Sequence, residues 1–148
     1  MLRQLDFKTI DDALAEVDRL HRGGYVKTGQ WDLAQICDHL SYFVDASLDG
    51  AQFRVPWLIK VLLGRKVLRR ILTQRKMKPG VFTPQKPLPQ PGGDEPTAVA
   101  RYKHAIERFR AHQGELHASP FFGHLTPEQW RELHLIHAAH HLGFLQPQ

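Results

Sequence analysis

The stretch Thr126-Pro127-Glu128-Gln129-Trp130-Arg131-Glu132-Leu133-His134-Leu135-Ile136-His137-Ala138-Ala139-His140-His141-Leu142-Gly143 reads as a helix from its first residue to its last. Thr126 is an N-cap, Pro127 fits the first helical position, Glu128 suits the positive end of the dipole, and Gln129 stands where a capping box closes. Gly143 marks the end. The same stretch holds four of the ten histidines. His137 and His141 are four residues apart, so their rings leave one face of the helix about one turn apart, within reach of a single ion. His134 continues that stripe N-terminally as an alternative ligand. His140 lies about 100° around the axis from His141.

Upstream, the pattern repeats helix after helix. Ile10, Ala13, Leu14, Val17 and Leu20 recur at three- and four-residue steps, capped by Thr9 and stopped by Gly23-Gly24. A second helix is expected from about Trp31, through Ile36, Leu40, Phe43 and Val44, to Gly50. The third runs from Pro56 to about Gln74. The proline- and glycine-rich stretch from Lys78 to Pro96 suits neither helix nor strand and reads as an extended, ordered crossover. A fourth helix covers about Thr97 to Gln113, its inner stripe formed by Val99, Tyr102, Ala105, Ile106 and Phe109. A turn-rich stretch then leads through Pro120-Phe121-Phe122-Gly123 to the last helix. No segment reads as a strand. The expectation is an all-α bundle over residues 1–148, with four core helices, one extra helix and a long proline-rich crossover, in which sites form between facing helices.

At 148 residues and 42% hydrophobic, the chain has enough apolar material for one core without disulfide support. Its longest apolar runs are cut by Lys60 and Gly64, well short of the roughly 20 residues a membrane span requires. The N-terminal residues show no secretory pattern, so a cytoplasmic location is expected. Cys37 is the single cysteine, which removes disulfide frameworks and cysteine-rich zinc sites from consideration.

Two helical histidines leave a metal site incomplete, because a catalytic divalent ion usually takes three protein ligands and keeps a further position open. His39 is the best third donor, since Ile36, Leu40 and Phe43 mark its side of the second helix as inward. Gln35, one turn before His39, is placed to hold a ring nitrogen or a water, and His134 and His140 are further candidates for that role. Cys37 is roughly 200° around the helix from His39 and reads as a packed residue; Asp38 and Asp45 also fall off the His39 face. No carboxylate on these inner faces offers itself as a general base, so no catalytic residue is assigned. Trp31, Trp130, Phe121 and Phe122 read as core.

The segments Gly29-Gln30-Trp31-Asp32-Leu33-Ala34-Gln35-Ile36-Cys37-Asp38-His39-Leu40 and Trp130-x-x-Leu133-x-x-x-His137-Ala138-Ala139-His140-His141-Leu142 resemble the DinB/YfiT-like superfamily. The likeness is to a branch of bacterial domains of unknown function ending in His-x-x-His-His-Leu. It implies a DinB-like bundle whose metal, usually zinc or nickel, is held by one histidine of the second helix and by the first and last histidines of the terminal motif. Position by position these are His39, His137 and His141. Characterised relatives include thiol-dependent S-transferases and metal-dependent hydrolases, so the implied partner is a small molecule, a thiol or an anion; a homodimer is compatible with the pattern. The basic third helix and the proline-rich crossover depart from the minimal superfamily pattern, and no substrate carries over.

Residues 56–78 contain Lys60, Arg65, Lys66, Arg69, Arg70, Arg75, Lys76 and Lys78 and no acid, while the whole chain carries +5. Removing these eight cations leaves twelve basic against fifteen acidic residues, so the excess charge sits in one element. Trp57, Leu58, Val61, Leu62, Leu68, Ile71 and Leu72 interleave with them. The plain expectation is an apolar stripe in the core and a solvated basic stripe. The second reading is a non-catalytic interaction module that uses this basic amphipathic helix on an acidic partner or an anionic membrane. No nucleic-acid recognition motif accompanies the charge.

Overall fold

The computed structural model describes residues 2–78 and 88–148. Residues 79–87 of the expected crossover therefore lie outside the described residues. The architecture is mostly helical, with α1 (Ile10–Gly23), α2 (Leu33–Asp49), α3 (Trp57–Ile59), a π-helical turn (Lys60–Gly64), α4 (Arg65–Gln74), α5 (Glu95–Ala111) and α6 (Pro127–Leu142). Two three-residue strands, β1 (Tyr25–Lys27) and β2 (Leu145–Pro147), pair antiparallel with Val26 opposite Gln146. They correct the expectation of no strand, being too short to show an alternating pattern.

The caps explain where the helices begin. Thr9, Asp32 and Thr126 each accept a hydrogen bond from the backbone N–H three residues on, and Asp12, Gln35 and Gln129 answer each cap's own N–H. Each pair satisfies two backbone donors that helix geometry leaves without a partner. Asp94 caps α5 by accepting from the Thr97 N–H, which starts that helix at Glu95, two residues earlier than expected.

α2 packs most extensively on α5, and α6 lies against α1, α2 and α4. Leu33, Ile36 and Leu40 of α2 meet Tyr102 and Ile106 of α5 in one buried cluster with Val17 and Leu20 of α1 and Leu135 and Leu142 of α6. α6 buries Leu133, Leu135, Ile136, Ala138, Ala139 and Leu142, which spreads around most of its circumference, so it is a central helix rather than a one-sided surface one.

The expected third helix departs from a single regular stripe. Leu68 and Ile71 are buried, whereas Trp57, Leu58, Val61 and Leu62 are exposed. The π-helical turn inserts extra chain between the two halves, so side chains before it do not continue the stripe that follows. Gly64 closes the turn against the 119–123 loop, where a Cβ would stand 2.6 Å from the Phe121 carbonyl oxygen.

Candidate metal centre

α2 and α6 cross so that His39 meets His137 and His141. His39 Nε2 is 3.1 Å from His137 Nε2, and His141 Nε2 is also 3.1 Å from His137 Nε2. One donor nitrogen from each ring lies within 4.8 Å of the other two. The convergence follows from the two spacings read in the sequence, four residues along α6 and one inward position on α2.

The rings sit in an aromatic frame. The Trp31 indole stacks on His141 at 5.2 Å and 18° and leans on His39 at 4.9 Å. Phe43 presents its ring edge-on to His39 and His137, at 4.9 and 5.1 Å. These apolar faces withdraw water, and that loss of solvation pushes His39 down to about 4 and takes His137 and His141 well below the usual imidazole value. Repulsion among the neighbouring imidazoles acts in the same direction. All three rings are therefore neutral near pH 7, the form in which imidazole ligates a cation.

Neutral rings cannot satisfy this arrangement among themselves. His137 Nε2 faces two nitrogens but has either one lone pair or one N–H, so only one of the two close approaches is a full hydrogen bond. A single cation among the three would take up every lone pair directed at it. Ligand atoms about 2.0–2.1 Å from one ion lie at most about 4.2 Å apart, and the two 3.1 Å separations meet that limit.

Two expected supporting residues stand elsewhere. His134 is buried, with Nε2 3.1 Å from Ser47 Oγ. Ser47 donates its only hydroxyl hydrogen to the Val44 carbonyl, so His134 Nε2 is the donor and its lone pair is unavailable there. The ring stacks on Trp130 and meets Phe109 edge-on, which makes His134 a core histidine rather than an alternative ligand. Gln35 is the reciprocal half of the Asp32 cap, and its amide nitrogen donates to the Pro89 carbonyl, so it does not hold a ring nitrogen. Asp32-x-x-Gln35 already carried that signal. His140 remains by the cluster, its ring 4.9 Å from His141 and partly open, with a pKa lowered by burial.

Trp31 and Phe43 are the residues whose site role sequence reading missed. Phe43 had a signal, standing four residues after His39; Trp31 precedes its helix and reaches the cluster only through the tertiary fold.

The histidines open into a cavity of about 400 Å³. Phe121, Leu133 and Ile71 give it apolar walls, and Arg70, Lys76 and Lys78 bring positive charge to it. No Asp or Glu lines it among the described residues.

Fold and site define a helical bundle with a three-imidazole cluster at the base of an apolar cleft. Over residues 1–148 the chain matches the family described as "Protein of unknown function (DUF1569)", and it belongs to that family. No curated protein and no solved structure matches it.

Proposed function

We propose that the chain is a divalent-metal-binding protein of the DinB/YfiT type, acting as a metal-dependent hydrolase or thiol S-transferase on a small molecule in the cleft. His39, His137 and His141 would hold the ion, zinc or nickel. The convergence of three desolvated, neutral imidazole nitrogens from two helices carries this reading. An ion held by neutral ligands keeps its full positive charge and acidifies a water or thiol that it binds.

The chain's own groups divide the remaining work. Trp31 and Phe43 shield the cluster from bulk water and hold the rings in place. Phe121, Leu133 and Ile71 offer contact to an apolar substrate body, and Arg70 at the same cavity favours an anionic part. With no lining carboxylate among the described residues, His140 is the group on this wall suited to accept a proton: partial burial keeps it neutral, and its ring stands beside His141.

Metal analysis of protein purified without an affinity tag tests the assignment. The wild type should carry about one equivalent of zinc or nickel, set by its one three-histidine cluster among the described residues. His39→Ala and His137→Ala should each lose most of it. Full retention in both variants overturns the site.

A further inference from the structure

We infer that residues 57–70 form a docking element for an anionic lipid surface, the exposed apolar side chains of 57–63 entering the interface and the flanking cations meeting the headgroups. Large apolar side chains exposed on this molecule are few among the described residues, and most of them crowd into this one segment. Trp57 is 70% exposed, Val61 63% and Leu62 61%, with Leu58, Ile59 and Leu63 each about half exposed or more. A contiguous apolar patch of this kind marks an interaction surface, whereas single exposed apolar residues do not.

Charge identifies the occupant. Lys60, Arg65, Lys66, Arg69 and Arg70 have no carboxylate partner among the described residues, and no acid occurs anywhere in 56–78. On α5, by contrast, the cations are paired: Arg101 with Asp38, Lys103 with Asp18, Arg108 with Asp45 and Asp49, and Arg110 with Asp11. The segment thus combines bulky apolar groups with unneutralised positive charge, the pair of properties that holds a helix at an anionic bilayer surface.

A second copy of the chain fits less well, because a two-fold contact would set this cationic segment against itself. Nucleic acid would answer the charge and leave the aliphatic side chains without a partner. The helix also forms one wall of the cleft through Val67, Arg70 and Ile71, so docking here sets the cleft beside the lipid surface. The inference is independent of any metal at the histidines.

Flotation of the full-length protein with vesicles of phosphatidylcholine alone, and of phosphatidylcholine mixed with phosphatidylserine, tests the proposal. Binding should require phosphatidylserine, weaken with salt and shift the Trp57 emission to the blue, a shift absent from Trp57→Phe. Arg69→Glu with Arg70→Glu should weaken binding roughly twenty-five-fold or more, since each cation at such a surface is worth about a factor of five. Leu58→Gln with Leu62→Gln, and separately Trp57→Ser, should reduce binding while far-UV circular dichroism stays at the wild-type level, because these side chains are more than half exposed and lie outside the buried core. The proposal is overturned by equal binding to both vesicle types, by no binding to either, or by well-folded variants that bind as the wild type does. Capture by polyglutamate in place of phosphatidylserine vesicles, or a dimer that Leu62→Gln converts to monomers while vesicles are ignored, also overturns it in favour of that partner.

Discussion

Three positions separate His134 from His137 on α6, and surroundings rather than residue type set what each does. His137 faces two other imidazoles across an opening to the cleft; His134 is enclosed by Trp130, Phe109 and Ser47. Enclosure pushes the His134 pKa from 6.5 down to about 3. Between those values the unfolded chain binds a proton that the folded protein refuses, so stability is intact above about pH 6.5 and falls as the pH drops through this window. One such histidine contributes a slope of about 1.4 kcal/mol per pH unit while the difference is complete. His134→Phe retains a ring between Trp130 and Phe109, and Ser47 still donates to Val44, so the variant should fold. Urea midpoints measured from pH 7.5 to pH 4 should then fall less steeply than in the wild type; parallel curves would show that His134 takes no part. The sequence made the stripe of histidines legible but not their sorting, because the aromatic enclosure of His134 comes from α5 as well as from its own helix.

At the scale of elements, local signals and distant contacts divided the outcome between them. Thr9 with the apolar spacing after it announces α1, and Thr126 with Pro127, Gln129 and the stop at Gly143 announces α6, so those helices were legible almost end to end. The break in the helix expected at 56–74 was not, since it depends on the chain at Phe121, more than fifty residues away. Gly64 has helical φ and ψ, where alanine in place of glycine ordinarily stabilises by about 1 kcal/mol. Here the added carbon would meet a backbone oxygen at 2.6 Å, and a carbonyl cannot rotate aside as a side chain can. Overpacking of that kind costs about 1–3 kcal/mol, so the clash should win. Gly64→Ala is therefore expected to lower the thermal midpoint and to separate the helix from the 119–123 loop; a raised midpoint would mean that the loop yields freely.

Across the whole molecule, the chain's ends are drawn together behind the histidine-bearing helices. Arg3 donates through Nε to the Leu145 carbonyl and through Nη2 to Glu16 and the Leu142 carbonyl, and β1 pairs with β2 alongside. That closure joins the end of α6 to α1 and braces the helix that carries His137 and His141. It was invisible in the sequence, since two three-residue strands and one arginine carry no periodic signal. His39 and His137 are 98 residues apart in sequence, so an ion shared between them would link α2 to α6 in the folded state alone. On the proposed reading, metal must therefore stabilise the protein by mass action. At a free concentration about one hundred times the dissociation constant, the gain is about 2.7 kcal/mol, which for a domain of this size raises the midpoint by roughly 5–10 °C. Differential scanning calorimetry of chelator-treated protein, with and without added zinc or nickel, should show that rise in the wild type. His39→Ala should lose the response while keeping its fold, because His39 is partly exposed and contributes little to the buried cluster of α2. A midpoint indifferent to both metals, or an equal rise in His39→Ala, would separate the three rings from any common ion.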